Sequence, residues 1–147
     1  MYRDRVSWYN IIMNIKSEQE MIECGQKLAS RLVNGGVIEL IGDVGVGKTT
    51  LTRGIAKGLG VKEPVTSPSF TISKSYACGD GRTLTHYDFY RLGDPGIMME
   101  DLSEKIKDPT QVIVIEWGES VAGVLPDERQ KVSIVYNNDG TRKVIVQ

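Results

Sequence analysis

The sequence predicts an α/β protein, a mixed sheet with a parallel centre flanked by helices, and three observations carry that prediction. Strand and helix patterns alternate through the first half of the chain, as in layered α/β folds. A short apolar run at residues 37–41 passes through glycines into an amphipathic helix, as expected of a strand covered on both faces. The run Val112-Ile113-Val114-Ile115 is β-branched throughout and supplies a second buried strand.

The elements follow in order. Residues 10–15 (Asn-Ile-Ile-Met-Asn-Ile) read as a short strand. Ser17 and Glu20 have capping-box spacing, so a helix starts at Ser17. Its apolar positions Met21, Cys24, Leu28 and Leu32 recur every three or four residues, and Asn34-Gly35-Gly36 ends it through residues that tolerate left-handed backbone. After strand 37–41 a second helix carries Leu51, Ile55 and Leu59 on one side and stops at Gly60. An alternating strand to Tyr76, a Cys78-Gly79-Asp80-Gly81 turn and a strand into His86-Tyr87-Asp88-Phe89-Tyr90-Arg91 form a hairpin. Residues 131–136 and 142–147 alternate around Asn137-Asn138-Asp139-Gly140, a hairpin expected to add antiparallel strands at a sheet edge.

A length of 147 residues suits a single domain, read here as spanning the whole chain. Apolar residues at 40% and charged residues at 25% exclude disordered, collagenous and membrane compositions. Eighteen basic against nineteen acidic side chains leave a net charge of −1, so no overall positive field draws the protein to nucleic acid or anionic membrane. Any link to RNA is then indirect. Without a secretory signal or an apolar run long enough to cross a bilayer, the chain reads as cytoplasmic with reduced thiols. Cys24 and Cys78 read as structural, and a single histidine, His86, argues against a zinc site.

The chemistry begins at Gly42-Asp43-Val44-Gly45-Val46-Gly47-Lys48-Thr49, which satisfies G-x-x-x-x-G-K-[ST] between an apolar strand and an amphipathic helix. That order of strand, loop and helix is the context the phosphate-binding P-loop motif requires, and it points to a three-layer P-loop NTPase fold. The glycines let backbone N–H groups curl around terminal phosphates, and the helix N-terminus adds positive potential. The Lys48 ammonium reaches the β- and γ-phosphates, and Thr49 supplies a hydroxyl to Mg²⁺. Such sites need a second acid at the end of a neighbouring apolar strand, and Glu116 ends the run 112–115. The other reading of Glu116 is a glutamate capping a strand at the surface. Trp117 beside it either covers the nucleotide or a partner, or simply packs.

Between these motifs lies Val65-Thr66-Ser67-Pro68-Ser69-Phe70-Thr71. Its hydroxyls suit a γ-phosphate-sensing switch segment, and equally an ordinary Ser/Pro turn. Asp88 either orients an attacking water or a metal-bound water, and Arg91 either meets phosphate or ties down Asp88.

The combination of the 42–50 loop, Thr66-Ser67-Pro68-Ser69-Phe70, His86-x-Asp88-x-Tyr90-Arg91 and Ile115-Glu116-Trp117 resembles the TsaE family, formerly called YjeE. The resemblance covers roughly residues 14–147 and includes Gly60 and Val124-Leu125-Pro126, leaving residues 1–8 outside it. It implies an ATPase that works with TsaD and TsaB in bacterial threonylcarbamoyl modification of the adenosine beside the anticodon (t6A), without itself being the transferase. The tRNAs concerned read codons that begin with A. Carried over by resemblance, Glu18, Gly45, Val46, Gly47, Lys48, Thr49, Thr50 and Trp117 contact ATP, and Thr49 and Glu116 hold Mg²⁺. Lys48, Asp88 and Glu116 are then the catalytic residues, with Asp88 serving hydrolysis. Ser69 stands where the family commonly has threonine, and Gly118 where it has proline. Segment 93–109 contains Asp94-Pro95-Gly96, which suggests that the family's helix there is reduced to about residues 100–106.

Two rivals differ in class. A P-loop small-molecule kinase needs an acceptor pocket and an arginine-bearing lid, and the sequence shows no such lid. A GTPase-like switch module would carry Asn-Lys-x-Asp, which is absent from the chain.

Overall fold

The computed structural model describes residues 11–32, 34–68, 71–90 and 94–147. In chain order its elements are β1 (Ile11–Ile15), α1 (Glu18–Ala29), β2 (Gly36–Ile41), α2 (Lys48–Gly58), β3 (Ser73–Ala77), β4 (Thr83–Asp88), α3 (Gly96–Ile106), β5 (Gln111–Glu116), a 3₁₀ helix (Gly118–Val124), β6 (Gln130–Tyr136) and β7 (Arg142–Val146). The strands join in one seven-stranded sheet of order β1-β7-β6-β2-β5-β4-β3. β6, β2, β5 and β4 run parallel, while β3 pairs with β4, and β7 with both β6 and β1, antiparallel.

Period-two alternation divides the strands between two cores. Ile38, Leu40, Leu84, Val112, Val114, Val132, Ile134 and Val144 pack with Met21, Leu28, Leu51 and Ile55 of α1 and α2. On the opposite face Val37, Tyr87, Ile113 and Ile115 pack with Leu102 of α3 and Val121 of the 3₁₀ helix. The result is the three-layer arrangement expected from the sequence. α1 and α2 meet closely because Gly54 faces the Ile22 carbonyl and Gly25 faces the backbone of α2, where a Cβ would lie 2.5 Å from the Leu51 oxygen.

Three local expectations are corrected. α1 ends at Ala29 rather than at Asn34-Gly35-Gly36. Ser30 Oγ donates to the Lys27 carbonyl at 2.7 Å, and the Arg31 and Leu32 amides bond carbonyls three residues back, so the last turn tightens and closes early. Leu32 is still buried beyond the helix. α3 starts at Gly96 rather than near residue 100, because Asp94 Oδ1 accepts from the Gly96 amide at 3.0 Å and Pro95 sits at the helix entry. The C-terminal hairpin is not the sheet edge: β6 extends the parallel core beside β2, and β1 covers β7. Hairpin turn signals fix how two strands join each other, not which strand they join next. Asn10, assigned to the first strand, lies outside the described residues, as do Ser69, Phe70 and Arg91.

Ser17 caps α1 as expected, while the reciprocal bond of a capping box shifts by one residue, to the amide of Lys16 rather than of Ser17. Ser17 Oγ accepts from the Glu20 amide at 3.1 Å, and Glu20 reaches back to the Lys16 amide at 2.7 Å. No helix among the described residues is long and apolar enough to cross a membrane.

Candidate functional site

β2 delivers the chain into the glycine loop, and α2 starts at Lys48. Gly45 (φ 80°) and Gly47 (φ 121°) hold the left-handed backbone that the loop needs. Residues from four segments converge at the N-terminus of α2 on a cleft of about 360 Å³. Gly45, Gly47, Lys48, Thr49 and Thr50 come from the loop and helix, Ser67 from the segment before β3, and Asp88 and Tyr90 from the end of β4. Glu116 and Trp117 come from the end of β5. Residues at the carboxyl ends of parallel strands thus face the phosphate loop, the usual ligand position of open α/β sheets.

Lys48 is buried, with its ammonium turned back on the loop. It donates to the Gly42 carbonyl and, at 3.4 Å, to that of Asp43. It also lies 4.4 Å from the centroid of the Trp117 ring. Trp117 adopts φ 57° and ψ 50°, a conformation that costs a non-glycine residue about 1–2 kcal/mol and that swings the indole over the lysine. Tyr90 packs against the indole at 4.9 Å between centroids.

β4 and β5 place Asp88 opposite Glu116. Glu116 is 3% exposed, and its Oε2 lies 2.8 Å from Nε2 of the wholly buried His86. Asp88 Oδ1 accepts from the Tyr90 amide at 2.9 Å. Burial raises the Asp88 carboxyl above its ordinary range; the Tyr90 amide opposes that shift, the Glu116 charge adds to it, and His86 and Lys48 oppose it.

Among the described residues no three His, Cys, Asp or Glu side chains are placed to share a metal ion. The cleft instead offers the Thr49 hydroxyl and the Glu116 carboxylate. These hard oxygen donors suit Mg²⁺, which keeps several waters and binds through one or two carboxylates plus substrate phosphates. The donor set therefore fits the expected ion, and the Lys48 ammonium with the helix N-terminus fits a polyphosphate.

Two predicted contacts sit differently. The Val46 side chain belongs to the core at 1% exposure, and its amide bonds the Asp43 carbonyl at 3.2 Å. Glu18 lines an adjoining hollow of about 290 Å³ with Met21, Arg53 and Arg142, and this hollow shares Gly45, Gly47 and Thr50 with the loop. Thr66 accepts from Lys74 Nζ at 2.6 Å, while its neighbour Ser67 faces the cleft.

Sequence reasoning missed Arg53, Arg142 and Tyr136. The Tyr136 hydroxyl donates to the Gly45 carbonyl at 2.9 Å, and Arg142 lies against Gly47, so the C-terminal hairpin buttresses the loop. Nothing local in the sequence marks these contacts, because β6 reaches the loop only through its pairing with β2.

Comparison with known proteins agrees with this geometry. The family described as threonylcarbamoyl adenosine biosynthesis protein TsaE matches residues 15–144. A Streptomyces coelicolor tRNA threonylcarbamoyladenosine biosynthesis protein TsaE is 44% identical over 115 residues, 78% of each chain. The Treponema pallidum protein of the same name is 37% identical over 132 residues, 89% of this chain and 96% of its own. The crystal structure of Bacillus subtilis YdiB superimposes with a TM-score of 0.75 at 29% identity, covering 93% of this chain and 84% of YdiB. With the glycine loop, Asp88 and Glu116 brought to one cleft, and a family match spanning almost all of the described residues, the chain belongs to the TsaE family of threonylcarbamoyl adenosine biosynthesis proteins.

Proposed function

We propose that this chain binds ATP with Mg²⁺ in the cleft at the N-terminus of α2 and hydrolyses it as a component of the bacterial t6A machinery, acting with TsaD and TsaB. One observation carries the reading: Lys48 and Thr49, Asp88, and Glu116 and Trp117, from three well-separated stretches of the sequence, line the same cleft. Its relatives are named as tRNA threonylcarbamoyladenosine biosynthesis proteins, which supplies the pathway.

On binding, the Lys48 ammonium exchanges the Gly42 and Asp43 carbonyls for the β- and γ-phosphates. Amides of the loop and of the first turn of α2, among them Gly47 and Thr50, cradle the phosphates. Thr49 and Glu116 would hold Mg²⁺, which when bound neutralises charge on the β- and γ-oxygens. Asp88, with its carboxyl raised by burial, orients the attacking water and is suited to take its proton. Trp117 covers the phosphate end, and Glu18 contacts the nucleotide from the adjoining hollow.

ATP rather than GTP is favoured because Asn-Lys-x-Asp is absent from the sequence. A net charge of −1 gives no overall attraction to tRNA or to an anionic membrane, which supports engagement of tRNA through partners, and the proposed place of action is the cytoplasm. The test is the t6A content of cellular tRNA, measured by mass spectrometry after the chain is depleted and then restored as wild type or as Lys48→Ala. Loss on depletion, rescued only by wild type, supports the assignment; unchanged t6A would overturn it.

A further inference from the structure

Glu116 is held by a side chain that takes no part in hydrolysis as described above. His86 is the only histidine of the chain, is fully buried, and lies with Nε2 2.8 Å from Glu116 Oε2. In the parallel register of β4 and β5 it pairs with Val114, two residues before Glu116, so the ring reaches along the sheet face that carries α2. An ionised carboxylate only accepts hydrogen bonds, so the nitrogen facing it carries the hydrogen. The ring hydrogen that meets Glu116 is then the one on Nε2. Nδ1 is buried and has no hydrogen-bond partner among the described residues. Among the described residues, then, the ring's one side-chain hydrogen bond is on its Nε2 side, to Glu116.

We infer that His86 is the positioning residue of Glu116. Its N–H pins Oε2 and leaves Oε1 for the cleft, so that the carboxylate meets the magnesium hydration shell in one orientation. The inference rests on the reading of Glu116 as a holder of that shell. Outer partners of metal-binding groups fix ligand orientation, and their loss costs about 10–100-fold in metal affinity.

The test uses the untagged chain, whose one histidine gives unambiguous ring signals. Nitrogen-15 NMR should show a hydrogen on Nε2 in the wild type; a ring protonated at Nδ1 alone would overturn the inference. Binding of a fluorescent N-methylanthraniloyl ATP is then titrated against Mg²⁺. His86→Leu, and His86→Asn whose amide stops short of Glu116, should raise the Mg²⁺ needed for half-maximal affinity gain about tenfold. His86→Gln, which restores a donor near the Nε2 position, should stay close to wild type. Affinity in EDTA should be equal in all, which also reports an intact fold. A His86→Gln defect as large as that of His86→Asn, or no defect in any variant, would overturn the positioning role. Should Glu116→Gln leave the Mg²⁺ dependence unchanged, the reading of Glu116 fails and this inference falls with it, whichever nitrogen carries the hydrogen. If His86→Leu does not fold, the Asn and Gln pair and the position of the ring hydrogen decide the matter.

Discussion

Lys48 and Trp117 face each other across the mouth of the cleft, with the ammonium 4.4 Å from the indole centroid and turned toward the carbonyls of its own loop. In the proposed binding mode ATP draws Lys48 off its loop carbonyls and so alters its contact with the indole. In a Trp8→Phe background, where Trp117 is the only tryptophan, ATP should therefore change the indole fluorescence saturably. Lys48→Ala should abolish that response while leaving the far-ultraviolet circular dichroism unchanged. An unaltered emission at saturating ATP would show that the indole does not sense the phosphates.

Asp88 is assigned a role in the chemical step rather than in binding. Asp88→Asn should lower partner-stimulated turnover by about 10²-fold or more while changing ATP affinity little. Calorimetric binding alongside phosphate release separates the two. An equal loss in both would make Asp88 a binding residue.

The surroundings of Gly54, in the contact between α1 and α2, and of Gly81, in the turn between β3 and β4, predict unequal costs. Gly54→Ala drives a methyl group into the Ile22 carbonyl, an overpacked position that should lose about 1–3 kcal/mol or more. Gly81, at φ 86° with open space around its missing Cβ, should cost only the left-handed strain of about 1–2 kcal/mol. Urea melts of Gly54→Ala and Gly81→Ala should rank them in that order.

Burial pushes the Cys24 thiol from 9.0 up to about 11, against the opposing charges of Lys27 and Arg31. At mildly alkaline pH its thiolate fraction falls about a hundredfold below that of an ordinary thiol, so iodoacetamide should label it far more slowly in the native than in the unfolded chain. The folded state holds this proton more tightly, so the contribution of Cys24 to stability is complete below pH 9.0 and declines between 9.0 and about 11. Denaturant midpoints of wild type and Cys24→Ala should converge across that window.

The phosphate loop and both central strands were legible in the sequence because their signals are local. A G-x-x-x-x-G-K-[ST] spacing and a β-branched run need no knowledge of the rest of the fold. Glu116 was legible as a strand-end acid, but its bond to His86 was not, since that depends on β4 lying parallel to β5 in a register that periodicity does not encode. Tyr136 and Arg142 escaped for the same reason: their route to the loop runs through β6 pairing with β2, whereas the turn chemistry at residues 137–140 specifies only the hairpin itself. The early end of α1 at Ala29 was hidden because the apolar period continues to Leu32 while the backbone has already tightened.

The most direct measurement is ATP hydrolysis by the purified chain alone, with a matched TsaD and TsaB pair, and with Lys48→Ala or Glu116→Ala replacing wild type in that mixture. Weak turnover alone, stimulated by the partners and abolished by either substitution, is the expected result. Vigorous hydrolysis indifferent to the partners would contradict a partner-dependent role for this cleft.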